Sequence, residues 1–298
     1  MGLSASKLPG CSTSRRSGPE VTPGMYAVDL SRLESPQLAT TFVPSQRDGI
    51  TDSFLAAAAH DGCDAAKLAA AKRDRERFLG AQRRGWSRTD ASAVYLNMTL
   101  LVASPDQLRR VFVPAMAAAP SSTLLDIGAG RGEATASIAS ALGVRDRDVT
   151  VMEAAAQIRL LATERGYKAV ASFEELGPGQ TFGAVVMLNV LDRCDDPRGL
   201  LRAAVNALRP DGLLLIATVL PFCPLVYEGV AGKVGAHRAP AHPLKLPRSL
   251  RCGAAKSKGF LGKGLFEQHL AGFVAATVGT LPLRVASWPQ HRQNCPRS

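Results

Sequence analysis

Aromatic residues are scarce in this sequence, at 5% of 298 positions, so any core must consist mainly of alanine, valine and leucine. Long apolar runs are also missing. The longest, residues 212–225, contains two prolines and falls short of the roughly 20 residues that a membrane-spanning helix needs. We expect a buried strand and a turn there. The hydrophobic fraction of 46% is enough for one large domain with extensions, or for two small domains.

The six cysteines are widely scattered, and they include no CxxC pair. Neither the cysteines nor the five histidines show metal-site spacing, so we predict no metal. No secretory signal is recognisable. We therefore expect reduced thiols in a cytoplasmic protein.

Positive charge is concentrated in the flanks of the chain, which carries a net charge of +11. Residues 121–232 hold ten Lys/Arg against thirteen Asp/Glu, whereas residues 233–298 hold eleven against one. A phosphate-binding surface is one interpretation of this basic end, and a solvated tail is the other. We favour the tail and predict no specific nucleic-acid partner.

The amino-terminal segment, residues 1–50, is predicted to be disordered or extended, because its first 24 residues are rich in Ser, Gly, Pro and Arg. Met1 to Lys7 fit the N-myristoylation pattern, which would place an acyl chain on Gly2. One acyl chain binds membranes only marginally, and Cys11 or nearby basic side chains could supply a second signal. The alternatives are therefore association with a membrane surface and a chance match to a short motif.

Residues 51–120 are predicted to be a helical region. One helix is expected over residues 52–85, with a charged, solvated face at 72–79. A second begins at Pro105, with Ser104 as its cap, and runs to about Ala118.

From Thr123 onward, short apolar strands alternate with helices. Strands are expected at 123–127, 149–152, 168–171, 184–188 and 212–219, and helices at 133–142, 155–165 and 199–208. This alternation predicts an α/β fold with a parallel, doubly wound, Rossmann-like sheet. We assign residues 121–233 to this core and residues 234–298 to a basic, divergent carboxyl-terminal region.

A glycine-rich loop follows the first predicted strand, as Asp126-Ile127-Gly128-Ala129-Gly130-Arg131-Gly132. Glycines let a backbone turn tightly and approach a ligand closely, and the following helix offers free N–H groups. The spacing differs from the dinucleotide form G-x-G-x-x-G and is the form of S-adenosylmethionine-dependent methyltransferases. We predict that Gly128, Ala129, Gly130 and Gly132 bind this cofactor, with Asp126 near its amino-acid moiety.

Polar residues follow three of the other strands. Glu153 ends the second strand and is predicted to bind the cofactor's ribose, with helix capping as the alternative. Glu174, together with Glu175, follows the third strand, where the adenine edge is expected. Asn189 and Asp192 follow the fourth strand and should stand in the crevice at the carboxyl edge of the sheet. The alternative for Asp192 is a cap of a short turn.

Four segments resemble the DREV family of methyltransferases, the group of methyltransferase-like protein nine. They are Leu124–Gly130, Leu188–Asp195, Val219–Pro224 and, upstream, Ser104-Pro105-Asp106-Gln107. The resemblance covers about residues 102–233, with a fainter echo at 271–274 and 281–282.

The resemblance implies a seven-strand class I methyltransferase that acts on protein histidines in His-x-His-type sequences, at the ring nitrogen nearer the main chain. It also implies that Asp126, Gly128 and Gly130 bind the cofactor, that Glu153 binds its ribose, and that Asn189 and Asp192 hold the target imidazole. Asn189 is assigned to both the cofactor and the acceptor.

The chain departs from the family pattern in two places. Arg131 stands where the family usually has an acid, and the segment after Leu281-Pro282 lacks the family's tyrosine and a clear final strand. The sheet is therefore expected with an incomplete carboxyl-terminal strand pair.

Methyl transfer from a sulfonium needs mainly in-line positioning of a neutral imidazole, whose ordinary pKa is about 6.5. A carboxylate on the other ring N–H would fix the tautomer and stabilise the developing positive charge, and Asp192 is the candidate. Two alternatives stay open: a methyltransferase for another substrate, and a weakly active or non-catalytic scaffold, which the missing tyrosine favours. We expect a monomer.

Overall fold

The computed structural model describes residues 48–50, 53, 65–96, 103–116, 123–218 and 222–244. The predictions for the first 47 residues, including acylation of Gly2, lie outside the described residues, as do those for residues 271–282. Within the described ranges, no helix has the length and apolar character needed to cross a membrane.

Five parallel strands form the central sheet. They are β1 (Leu124–Ile127), β2 (Val149–Met152), β3 (Lys168–Val170), β4 (Phe182–Leu188) and β5 (Leu208–Ala217). Their order is β3-β2-β1-β4-β5, and each neighbouring pair is parallel. The sequence runs outward from β1 to β3 and then returns to β4 on the other side of β1. The predicted α/β fold with a parallel, doubly wound, Rossmann-like sheet is therefore confirmed. Its ligand crevice is expected beyond the carboxyl ends of β1 and β4.

Six helices lie among the described residues. Three connect strands of the sheet: α4 (Glu133–Leu142), α5 (Ala156–Glu164) and α6 (Pro197–Asn206). Three precede the sheet: α1 (Ala65–Arg83), α2 (Arg88–Tyr95) and α3 (Pro105–Met116). The hydroxyl of Ser104 accepts a hydrogen bond from Gln107 N, and Gln107 Oε1 accepts one from Ser104 N. This reciprocal capping confirms the predicted start of α3.

The sheet separates two apolar clusters because successive strand residues face opposite sides. Leu125 and Ile127 of β1 face one cluster, which also contains Phe182, Met187 and Leu201. Leu124 faces the other cluster with, among others, Val149, Val151, Ile138, Leu142 and Val186. Asp126 shares the face of Leu124, so its side chain lies under α4. The Asp126 carboxylate is consequently buried between the sheet and this helix.

Several predicted boundaries differ from the structure by two or more residues, and two of these differences have a clear physical reason. β5 begins at Leu208 rather than Gly212, and the expected Pro-Asp-Gly turn lies inside the strand as an irregularity in its pairing with β4. Proline has no N–H to give to the ladder, so a bulge accommodates it. α6 begins at Pro197, two residues early, because the carboxylate of Asp196 accepts a hydrogen bond from Gly199 N and caps the helix.

A two-stranded antiparallel hairpin, β6 (Val226–Tyr227) and β7 (His237–Arg238), follows the sheet. The sequence did not predict it. Gly232 N donates to the carbonyl of Arg83, and Gly235 N donates to Gln82 Oε1, so the hairpin is fastened to the end of α1. Leu244 is buried in the same cluster as Leu125. The beginning of the basic region thus packs on the core.

Candidate cofactor and acceptor site

The glycine loop between β1 and α4 has the left-handed backbone that its composition predicts. Gly128, Gly130 and Gly132 have φ angles of 70°, 56° and 81°. A Cβ at Gly128 would lie 2.4 Å from Val190 Cγ2, whereas one at Gly130 would meet nothing within 4 Å. Gly128 is therefore needed for close approach to the loop after β4. Gly130 borders open space, into which a ligand can fit.

Glu153, at the end of β2, contacts this loop. Its Oε2 accepts a hydrogen bond from Gly130 N at 3.2 Å, and its Oε1 accepts one from Ala155 N at 3.1 Å, at the start of α5. Glu153 therefore lies beside the glycines, whereas α5 has no side-chain cap hydrogen bond, so the capping alternative is not supported. Burial is the main cause that raises the pKa of Glu153, and these hydrogen bonds oppose it.

Asp126 is 1% exposed, and its Oδ2 accepts a hydrogen bond from the Thr135 hydroxyl at 2.6 Å. Burial raises the pKa of Asp126 to about 7; the bond to Thr135 lowers it, and the neighbouring charge of Glu153 raises it further. The two carboxylates are therefore close enough for their charges to interact. The structure brings Asp126 and Glu153 together at the loop, although their contacts with a cofactor stay a prediction.

These features fit S-adenosylmethionine. The cofactor supplies a cationic sulfonium, an ammonium group and ribose hydroxyls. Two adjacent carboxylates with raised pKa values gain from a cation, and carboxylate oxygens accept hydrogen bonds from hydroxyls. The open side of Gly130 leaves room for a ligand against the backbone. Among the described residues, no group of three His, Cys, Asp or Glu residues is placed to hold a metal ion.

Arg131, which departs from the family pattern, lies beside an acidic side chain of the following helix. Its Nε lies 3.2 Å from Glu133 Oε1, and Arg165 reaches the same oxygen at 3.1 Å. Glu133 belongs to the first turn of α4, where a carboxylate is favourable. The positive charge of Arg131 is thus compensated by an acid of the adjoining helix.

Asn189 and Asp192 follow β4 at the carboxyl edge of the sheet. Asn189 has a left-handed φ of 54°, and its N–H donates to the carbonyl of Ala217 at 2.8 Å. Within the described part of the chain, the buried Oδ1 atoms of Asn189 and Asp192 have no hydrogen-bond partner. Buried polar atoms are usually paired, so two unpaired oxygens on one loop point to a missing donor.

Asp192 is largely buried, with 4% of the residue exposed. Burial raises its pKa, and Arg193, whose Nε lies 3.1 Å from Asp192 Oδ2, lowers it. Asp192 lies in a short turn of residues 191–193, in which Arg193 N donates to the carbonyl of Val190, whereas Asp196 caps α6. Both the turn-cap alternative and the role of Asp192 at the acceptor stay predictions.

Glu174 and Glu175 lie in a 3-10 turn, Phe173–Glu175, after β3. The Ser172 side chain hydrogen-bonds to Glu174 and lowers its pKa. Glu175 Oε2 accepts a hydrogen bond from Ala171 N at 2.7 Å. Both acids are exposed, and the adenine assignment stays a prediction.

Asp90, which the sequence did not single out, also lies near the loop, because its charge raises the pKa of Glu153. It belongs to α2, a helix of eight residues that packs against α5. Ser87 caps this helix by accepting a hydrogen bond from Asp90 N at 3.1 Å. The Ser87-x-x-Asp90 spacing was the available sequence signal for the helix start.

The expectation of reduced thiols is wrong at one position, because Cys223 is disulfide-bonded. The spacing of the cysteines in the sequence did not indicate this disulfide, because a disulfide forms between cysteines that are close in the fold. Cys194 carries a free thiol. Burial raises its pKa to about 12, so it is a neutral thiol in the loop after β4, residues 189–196, which we call the acceptor loop.

Comparison with known proteins places this site in context. A family model described as DREV methyltransferase matches residues 26–244. The chain is 29% identical over 117 residues to the ubiquinone biosynthesis O-methyltransferase of Xanthomonas campestris pv. campestris, covering 38% of this chain and 49% of that protein. It spans about half the length of the curated relatives it matches.

Solved structures with a similar region include the sugar N-methyltransferase KedS8 from Streptoalloteichus, at 22% identity and a TM-score of 0.34, covering 39% of this chain and 48% of that one. Another is CalS10, an amino pentose methyltransferase from Micromonospora echinaspora solved with S-adenosylmethionine, at 24% identity and a TM-score of 0.32, covering 41% of this chain and 58% of that one.

The open side of Gly130 gives a first prediction. Gly130→Ala should weaken S-adenosylmethionine binding about tenfold or more, because its methyl group enters the space beside the loop. Gly143→Ala is the matched control: it too has a left-handed φ and open surroundings, but it lies at the opposite end of α4. Both variants should lose roughly 1 kcal/mol of stability through backbone strain. Calorimetry that finds equal affinities for the two variants would contradict the placement.

The buried carboxylate of Asp126 gives a second prediction. In the unfolded chain it ionises near 3.8, whereas in the folded chain it keeps its proton until about pH 7. The folded state therefore binds more protons in this window, and its stability falls as the pH rises from about 4 to about 7. Asp126→Asn, which can still accept the Thr135 bond, should remove this contribution.

Urea unfolding at pH 5 and pH 8 without cofactor measures the effect. Wild type should lose stability relative to Asp126→Asn at the higher pH. Asp211→Asn, whose side chain is 63% exposed, should follow wild type. Parallel behaviour of wild type and Asp126→Asn would show that Asp126 ionises normally.

Proposed function

The chain belongs to the DREV methyltransferase family, and from this premise we propose that it transfers a methyl group from S-adenosylmethionine to histidine side chains in His-x-His-type protein sequences. The family match covers residues 26–244, which include the glycine loop and the acceptor loop. We propose the ring nitrogen nearer the main chain as the methylated atom.

One observation carries the choice of acceptor. The loop after β4 holds two buried side-chain oxygens, Asn189 Oδ1 and Asp192 Oδ1, and no donor among the described residues reaches them. A neutral imidazole has one N–H to donate and one lone pair to react. An imidazole held through its N–H by Asp192 would present the other nitrogen for methylation. Asn189 would then orient the ring or the cofactor.

The glycine loop and the acceptor loop adjoin each other. A Cβ at Gly128 would overlap Val190, so the backbone after β1 and the loop after β4 are in close contact. The two strands are neighbours in register, with Ile127 opposite Met187. Donor and acceptor positions therefore share one end of the sheet, as in-line transfer requires.

S-adenosylmethionine, when bound, supplies a methyl group on a sulfonium that is already activated. The imidazole lone pair would form the new nitrogen–carbon bond as the methyl–sulfur bond breaks, and the electron pair of that bond would stay on sulfur. Positive charge consequently develops on the ring. The Asp192 carboxylate stabilises that charge and fixes the tautomer through the N–H that does not react. The methylated ring would afterwards lose its N–H proton to solvent and become neutral.

Asp192 supplies the decisive variant. Asp192→Asn should lower the methylation rate of a His-Ala-His peptide by roughly 100-fold or more, because the stabilising charge is lost. Cofactor affinity should be unchanged. Asp196→Asn removes a carboxylate from the same loop but keeps a good helix cap, so it should retain activity. Mass spectrometry of the peptide measures the product and, against synthetic standards, identifies the methylated nitrogen.

Several outcomes would refute the proposal. Full activity of Asp192→Asn with unchanged cofactor binding would remove Asp192 from the mechanism. Wild-type protein that binds S-adenosylmethionine but leaves every histidine peptide unmodified would indicate another substrate. Cofactor binding with no methyl transfer to any acceptor would indicate a scaffold.

A further inference from the structure

We propose that Tyr227 is a positioning residue for the acceptor site: its ring holds the guanidinium of Arg193, and Arg193 holds the carboxylate of Asp192 so that one oxygen is left for the acceptor. The idea rests on the proposed histidine methylation for its functional meaning. Its geometry stands independently of the substrate.

The first step is the contact between Asp192 and Arg193. Arg193 Nε lies 3.1 Å from Asp192 Oδ2, while Asp192 Oδ1 is buried and unpaired within the described residues. One oxygen is thus occupied and the other is available. If the guanidinium moved away, this contact would no longer fix the plane of the carboxylate, and the carboxylate could rotate away from the orientation that the acceptor needs.

The second step is the contact between Arg193 and Tyr227. The guanidinium carbon of Arg193 lies 5.2 Å from the centre of the Tyr227 ring, within the range of a cation–π contact. The Arg193 side chain is 39% exposed, so its ion pair alone would leave it free to exchange with water. The ring supplies a second restraint on the same guanidinium.

The hairpin that carries Tyr227 is itself fixed to the acceptor loop. Leu225 N donates to the carbonyl of Asp192 at 2.8 Å. Arg238 forms a two-point contact with Asp195 and also reaches Glu228 Oε1 at 2.6 Å. The paired guanidinium lowers the pKa of Asp195 to about 2. Tyr227 is therefore held by the loop that it helps to order.

A second cation contacts the same ring and offers a control. The guanidinium carbon of Arg88, on α2, lies 5.7 Å from the Tyr227 ring centre. The guanidinium of Arg193 lowers the pKa of Asp192, against the effect of burial. Arg88 and Arg193 therefore share the aromatic contact, while the carboxylate contact belongs to Arg193.

Several charged or titratable groups surround Asp192 and Arg193. Besides those two residues, they are Cys194, Asp195 and Asp196 on the loop, Tyr227, Glu228, His237 and Arg238 on the hairpin, and Arg88 on α2. Removing Arg193 takes away the cation that favours ionised Asp192, and burial then dominates. The ionisation of Asp192 should accordingly move to higher pH when Arg193 is lost or released.

The test compares four variants of the full chain. Arg193→Gln removes the cation, and Tyr227→Leu removes the ring. Tyr227→Phe keeps the ring, and Arg88→Gln removes the other cation. Carbon-13 NMR of labelled aspartate, with the Asp192 signal identified by its loss in Asp192→Asn, reports the ionisation directly and needs no substrate.

We expect the Asp192 titration to move to higher pH in Arg193→Gln and Tyr227→Leu, and to stay at the wild-type position in Tyr227→Phe and Arg88→Gln. An unshifted titration in Tyr227→Leu would overturn the proposal, whatever Arg193→Gln shows. If Tyr227→Leu fails to fold, Tyr227→Met, which has no ring but a long apolar side chain, replaces it under the same criteria.

Methylation rates give a second readout. The first two variants should lose about tenfold or more in kcat, with the KM for S-adenosylmethionine unchanged, since misplacement of reacting groups lowers the rate. The acid limb of the pH–rate profile of these two variants should move to higher pH. Protonation of the substrate imidazole also affects this limb, but it does so equally in all variants and therefore cannot cause a difference between them. Equal losses in Arg88→Gln and Arg193→Gln would overturn the positioning role. If wild type methylates no histidine peptide, the proposed function fails, and the NMR titration still tests the role of Tyr227.

Discussion

The parallel pairing of β2, β1 and β4 is the constraint on which the site depends. Parallel neighbours in register end at the same edge of the sheet, so the residues that follow Ile127, Met152 and Leu188 are brought together although they lie far apart in sequence. Gly128 N reaches the carbonyl of Met152, and Gly130 N reaches Glu153. The glycine loop, Glu153 and the loop after β4 are thus brought together by the strand order itself.

The sequence was sufficient to predict this arrangement because its signals are local. Strand periodicity, the glycine spacing and an acid 23 positions beyond Gly130 are all readable in short windows. The capping pair of Ser104 and Gln107 is equally local. These local signals agree with one another and with the fold, and together they are enough to predict which residues meet at this edge of the sheet.

The remaining features depend on contacts between distant parts of the chain. α2 spans eight residues, and its role beside Glu153 arises from packing on α5. The hairpin has two residues per strand and is fixed largely by Arg238, Asp195 and Glu228. No periodic pattern predicts elements this short. The Ser87-x-x-Asp90 spacing indicates where α2 begins, but it does not indicate that Asp90 lies near Glu153. No sequence signal indicates that Tyr227 contacts Arg193. The bulge in β5 was misread as a turn because Pro-Asp-Gly is typical of both settings.

The central proposal is that the glycine loop and the carboxylates of Asp126 and Glu153 hold a cationic methyl donor. Isothermal titration of the full chain with S-adenosylmethionine tests this most directly. We expect saturable binding of one molecule per chain, competed by S-adenosylhomocysteine. Absence of binding by well-folded protein would contradict it.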